Sequence, residues 1–112
     1  MSGSVKDSMK VGFKLMDFSE MADIIDIALD DNESADAELM PGGYWELDAE
    51  GKLVIDLKKI SAMLERPFDE KDFLVYVSSY YGRVSVENDQ IILYSEMLMV
   101  SDYEKHDAKS KN

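Results

Sequence analysis

Cysteine is absent from this 112-residue sequence, and histidine occurs once, at position 106. Without thiols there is no disulfide, no thiolate metal site and no cysteine nucleophile. A Ser-His-Asp triad would have its only base in a charged terminal segment. No Glu-x-x-His pair exists from which a carboxylate-bridged diiron site could be built. Glycine is also scarce, at six residues, and Gly42-Gly43 precedes a strand-like stretch rather than a helix, so no phosphate loop is implied. No apolar run approaches the ~18 residues of a membrane span, and Met1 to Val11 holds no apolar leader. A cytoplasmic protein without a membrane contact is the expectation. Positive charge is short as well: 12 Lys and Arg stand against 24 Asp and Glu, for a net charge of -12. Such a surface repels a phosphate backbone, which argues against nucleic-acid binding.

What is present is enough for one core. Hydrophobic residues make up 46% of the chain, and its length suits a single domain, 1–112, with loose tails at 1–8 and 102–112. Met9, Val11, Phe13 and Leu15 alternate with Lys10, Gly12 and Lys14, the period of a half-buried strand. Asp17-Phe18-Ser19-Glu20 reads as an acidic helix cap. Behind it Phe18, Met21, Ala22, Ile25, Ala28 and Leu29 recur at helical spacing, widened by Ile24 and Ile27, and the run of acids from Asp30 places the helix end near Leu29. A short strand fits 36–40, and Pro41-Gly42-Gly43 breaks the chain. Tyr44–Leu47 and Lys52–Ile55 flank Asp48-Ala49-Glu50-Gly51 and read as a hairpin.

Leu57, Ile60, Met63 and Leu64 space a second helix, stopped by Pro67. Asp69 caps a third, with Phe73, Val77 and Tyr80 on one face and Gly82 as its stop; Val75 and Val77 are β-branched and leave a strand there open. Arg83–Glu87 and Gln90–Ser95 form a last hairpin around Asn88-Asp89. The fold class is therefore α+β, two small units of order β-α-β-β then β-α-α-β-β.

Chemistry-bearing clusters are few. Asp30/Asp31 and Asp69/Asp72 could in principle do acid–base work, but solvated acidic surface and helix capping explain them more simply. Met21 and Met63 fall in core register, Met97 and Met99 follow the last hairpin, and Trp45 reads as core. No catalytic residue, cofactor site or metal site emerges, and the chain reads as a non-catalytic protein that docks on a larger one.

An ordered set of short motifs then narrows the reading. Gly43-Tyr44-Trp45, Ala49-Glu50-Gly51-Lys52, Ile60-Ser61, Arg66-Pro67-Phe68, Asp72-Phe73-Leu74-Val75, Val77-Ser78-Ser79, Gly82-Arg83 and Ser95-Glu96-Met97-Leu98 follow one another across about sixty residues. Together they resemble the regulatory (effector, or coupling) proteins of soluble bacterial diiron monooxygenases, with the methane and propane types nearest. The resemblance implies the two-unit fold above and no metal or organic cofactor. It also implies docking on the hydroxylase component over its buried diiron centre, where the partner's access to oxygen, substrate and electrons is changed. It points to Tyr76, Ser78, Ser79, Tyr80, Gly82 and Arg83 as the partner-binding surface. The methane-type effectors carry a long N-terminal extension that this sequence lacks, which directs the expectation to a propane, butane, alkene or related system. Monomer is the expected free state. The alternative from charge alone is an acidic inhibitor or DNA mimic that blocks a basic site.

Periodicity places Phe13, Leu15, Ile25, Leu29, Leu53, Ile55, Ile60, Leu64, Phe73 and Val77 on inward faces. Truncating Ile25 or Phe73 to alanine is expected to cost ~2–5 kcal/mol each. Chemical denaturation measures this, and two variants that unfold with the parent would show the helix faces to be misassigned.

Overall fold

The computed structural model describes residues 9–95; the expected tails, His106, Met97 and Met99 lie outside them. Ten elements follow in order: β1 (Lys10–Met16), α1 (Met21–Asp31), β2 (Asp36–Met40), β3 (Tyr44–Glu50), β4 (Lys52–Asp56), α2 (Leu57–Leu64), α3 (Glu70–Leu74), β5 (Val77–Tyr81), β6 (Arg83–Glu87) and β7 (Gln90–Tyr94). The α+β class is as expected. The strands form two antiparallel sheets, ordered β2-β3-β1-β5 and β4-β7-β6.

The first sheet is not built from the first half of the chain alone. β1 pairs with β3 on one side, Phe13 opposite Leu47, and with β5 on the other, Phe13 opposite Tyr80. The expected long third helix therefore ends at Leu74, and the chain from Val77 is a strand. The β-branched residues there favour extended backbone, and β1 needs donors and acceptors along its second side. Gly82 accordingly ends no helix.

The expected hairpin at 44–55 is also absent. β3 and β4 belong to different sheets, and Gly51 (φ 80) turns the chain from one to the other. Its N–H donates to Met9 O at 2.7 Å, and Ser95 N–H donates to its carbonyl at 2.8 Å. Gly82 makes the matching corner between β5 and β6. Its φ is +117, and an added Cβ would lie 2.8 Å from Val11 Cγ1 and 2.9 Å from Tyr94 O, so only glycine fits. The hairpin β6–β7 is as read from sequence. Asn88 and Asp89 both take positive φ (53 and 59), the conformation a two-residue hairpin turn requires.

Local capping decides the helix ends. Asp56 accepts from the N–H groups of Lys58 and Lys59 and starts α2. Glu65 takes a left-handed conformation (φ 58) at its end, just ahead of Pro67. Asp69 and Asp72 form a reciprocal capping box on α3. Asp17 does not cap α1. That helix starts at Met21, with Glu20 at its N-cap and no side-chain cap bond, while Asp17 Oδ1 accepts from the Trp45 indole at 2.9 Å. The indole N–H needs an acceptor where β3 begins, and Asp17 supplies it.

One core joins both sheets to the helices. Val11, Phe13, Leu15, Ile24, Ile25, Leu47, Leu53, Ile55, Ile60, Phe73, Ile91 and Leu93 are buried, and Phe13 meets Phe73 edge to face with centroids 5.2 Å apart. Leu29, Leu64, Val77 and Trp45 pack against it half-buried. Met21 is buried as expected, but Met63 is 36% exposed, on the outer side of α2.

α1 runs two residues past Leu29, held by Asn32. This buried side chain donates to Ala28 O at 2.8 Å and to Val54 O at 2.8 Å, and accepts from Val54 N–H at 2.9 Å. Its amide thereby occupies the free edge of β4 as a neighbouring strand would. Lys59 from α2 pairs with Asp31, offsetting an acid at the negative end of α1. Asn32→Leu keeps the branched side-chain shape and, while Ala28 O retains the Asn32 backbone N–H, orphans both backbone groups of Val54. It is expected to cost about 2–4 kcal/mol in urea unfolding; a change below about 0.5 kcal/mol would show that the amide is dispensable.

Candidate docking surface

The sheet topology carries most of the sequence-expected site residues to one rim. β5 is the last strand of the first sheet and β6 the last of the second, and the single residue Gly82 joins them. Ser78, Ser79, Tyr80 and Arg83 are exposed there, and Tyr76 and Gly82 are half-buried.

Tyr76, Ser78 and Tyr80 are placed by specific contacts. Tyr76 stacks on Phe18 with centroids 4.0 Å apart and planes 5° from parallel, and its carbonyl accepts from Met16 N–H at 2.7 Å. Ser78 sits where the register shifts between Lys14 and Leu15, so it is the extra residue of a bulge, and its hydroxyl donates to Lys14 O at 3.1 Å. Tyr80 faces the core side beside Phe13, with ring centroids 6.4 Å apart, yet remains 49% exposed because no strand lies beyond it. Gly82 contributes backbone at the corner. Arg83 opens β6 and forms no ion pair among those found in the described residues.

Sequence reasoning missed the apolar content of this rim. Of nine large hydrophobic residues exposed among those described, six fall between Leu74 and Val86: Leu74, Val75, Tyr80, Tyr81, Val84 and Val86. The V-S-V alternation at 84–86 was visible, but a residue's position on a rim depends on strand order. Next to this run lies a shallow cavity of about 140 Å³, lined by Arg66, Pro67, Phe68, Asp72, Val75 and Tyr76. Arg66 is held at its mouth by Glu20, at 2.9 Å.

The outer face of the first sheet is acidic. Asp36 lies opposite Asp48 and Glu38 opposite Glu46, like charges in direct cross-strand register. The Lys14 ammonium reaches Glu46 at 3.9 Å. Tyr81 continues this face. Its ring fills the space over Gly12, where an added Cβ would stand 2.7 Å from the phenol oxygen, and its hydroxyl donates to Asp48 at 3.4 Å. Burial first, and the Asp48 carboxylate second, push the phenol up to about 12.

Among the described residues no three His, Asp or Glu side chains converge as a metal site would require, and no helix is long and apolar enough to cross a membrane. The rim is suited to covering: exposed tyrosines and valines, an exposed arginine and hydroxyls on a rigid strand pair.

A family model described as the MmoB/DmpM family matches residues 9–94. The sequence is 30% identical over 98 residues to methane monooxygenase regulatory protein B of Methylosinus trichosporium, covering 84% of this chain and 71% of that protein. It is 41% identical over 56 residues to the protein of the same name from Methylococcus capsulatus, covering 50% of this chain but only 40% of that one. Among solved structures, a chain from a phenol hydroxylase–regulatory protein complex superposes with a TM-score of 0.69 at 26% identity, covering 76% of this chain and 97% of its own. The soluble methane monooxygenase regulatory protein B superposes with a TM-score of 0.65 at 30% identity, covering 80% and 67%.

The raised Tyr81 value gives a measurable signature. The folded state favours the neutral phenol, so this contribution to stability is complete below the ordinary tyrosine pKa of ~10 and is lost as pH rises towards 12. Ultraviolet titration should show a late-ionising phenol, absent in Tyr81→Phe and shifted downward in Asp48→Asn. A parent titration with every tyrosine near ~10 would contradict the placement.

Proposed function

The chain belongs to the MmoB/DmpM family, and on that premise we propose that it is the regulatory component of a soluble multicomponent monooxygenase, without catalytic chemistry of its own, which docks on the hydroxylase. The supporting observation is the family match across 9–94, which spans both sheets and the whole β5–β6 rim. A structural relative taken from a complex of a hydroxylase with its regulatory protein points to the same class of partner.

The contact surface in this reading is Tyr76, Ser78, Ser79, Tyr80, Gly82 and Arg83. Tyr80 and Arg83 are the side chains able to anchor, being aromatic and guanidinium groups on rigid backbone. Ser78 and Ser79 let a partner approach the strand closely. Tyr76, fixed by Phe18, shapes the cavity beside it. The regulator acts by binding one hydroxylase conformation better than another, which shifts the partner's population towards it. A coupling of ~1–3 kcal/mol suffices for a 5- to 150-fold change in the partner's behaviour. What changes is the passage of oxygen, substrate and electrons to the partner's diiron site during hydrocarbon oxidation.

The test is turnover by the cognate hydroxylase and reductase, with and without this chain. Rate or regioselectivity should depend on its presence. Tyr80→Ala is expected to weaken hydroxylase binding by about tenfold, the ~1.4 kcal/mol of a single anchoring side chain. Ser78→Ala and Ser79→Ala should alter rate or product distribution with melting temperatures near the parent's. Turnover indifferent to the chain would overturn the regulatory role; wild-type kinetics and binding from all three variants would move the contact surface elsewhere.

A further inference from the structure

Among the described residues, four strand edges in the two sheets face no other strand: β2 and β5 in the first, β4 and β6 in the second. Such edges invite strand addition unless blunted. β4 is closed by the Asn32 amide on both polar groups of Val54. β5 is interrupted by the bulge at Ser78. β2 carries Asp36 and Glu38, opposite further acids on β3. β6 has no such device. Arg83-Val84-Ser85-Val86-Glu87 contains no proline, pairs with β7 in unbroken register, and leaves Val84 41% and Val86 45% exposed.

The turn shows which of its backbone groups are free. Asn88-Asp89 is a two-residue turn closing on the pair Glu87 and Gln90. In such a hairpin the closing residues exchange both hydrogen bonds, and bonded pairs alternate from there. Glu87, Ser85 and Arg83 therefore turn their N–H and C=O groups to β7, and Val84 and Val86 turn theirs outward. Only an extended strand offers donors and acceptors at that spacing.

The sequence of β6 specifies which strand. Laid antiparallel against itself about Ser85, it is self-complementary: Arg83 meets Glu87 of the second copy, Val84 meets Val86, and Ser85 meets Ser85. In that register Val84 and Val86 become the bonded pairs, so the outward groups of both copies are used together. The valines also extend rows already in place, Leu53–Leu93–Val84 and Ile55–Ile91–Val86. We propose that a second copy of this chain adds to β6, antiparallel and centred on Ser85, giving a two-fold six-stranded sheet β4-β7-β6-β6-β7-β4.

This pairing is weak by construction. Five residues a side bury far less than the ~800 Å² per partner of a standard interface, and each copy carries a net charge of -12. The chain is thus monomeric when dilute, and added salt, which screens the repulsion, strengthens the association. The inference does not rest on the docking role above.

Sedimentation equilibrium of the full chain, from micromolar to about 2 mM and at low and high salt, tests it. A reversible monomer–dimer equilibrium at roughly millimolar concentration, tightened by salt, is expected. Arg83→Glu and Glu87→Arg should each weaken association about tenfold by setting like charges in register, and an equimolar mixture of the two should associate as the parent does. Val84→Pro removes only an outward N–H, leaves the β6–β7 ladder intact and should abolish the dimer. A parent that stays monomeric across this range, charge variants that associate like the parent, or a mixture that fails to recover would each overturn the proposal.

Discussion

The strand Lys10–Met16 buries Val11, Phe13 and Leu15, and so its backbone cannot turn to water on either side. Each buried N–H and C=O must find a protein partner. β3 satisfies one side from nearby sequence. The other side is satisfied from the far half of the chain, where Ser79 pairs with Lys14 and Tyr80 with Phe13. That demand takes residues 77–81 out of the helix that precedes them and makes them a strand. It also ties the two halves into one core, since Phe73, at the end of α3, closes on Phe13 from the same direction.

The exposed rim follows from that pairing. Once β5 lies against β1, Gly82 must carry the chain across to the second sheet at once, in a space where Val11 and Tyr94 leave no room for a Cβ. β6 then begins at the edge of that sheet. Two edge strands in succession place Tyr80, Arg83, Val84 and Val86 at the surface, although their sequence resembles that of a core strand. Elsewhere the same exposure is countered, by the Asn32 amide on β4 and by acids on β2. Among the described residues the molecule thus sets shielded edges beside an apolar rim.

Charge and apolar area have different roles on such a surface. The acids on the outer face of the first sheet repel one another and favour approach to a basic partner, which affects the rate and direction of encounter more than final affinity. A rim of tyrosine, valine and arginine has the composition that holds a contact once formed. The chain belongs to the MmoB/DmpM family, and the acidic-decoy reading, which drew on net charge alone, gives no account of the rim.

The sequence by itself determined what depends on neighbours a few residues away. The α1 face of Ile24, Ile25 and Ala28, the caps at Asp56 and Asp69, the stop before Pro67 and the turn at Asn88-Asp89 were legible because period, capping and turn chemistry act within one window. The ordered motifs from Gly43 onward also carried the family. Tertiary structure decided the rest. Gly51 looked like a hairpin turn and is a corner between sheets, because its polar groups answer to Met9 and Ser95. Asp17 looked like a helix cap and instead holds the Trp45 indole, 28 positions away. Val77–Tyr81 fitted helix and strand alike, and the choice fell to an unfilled strand edge 64 residues upstream, because an unpaired buried backbone costs more than any local preference can return.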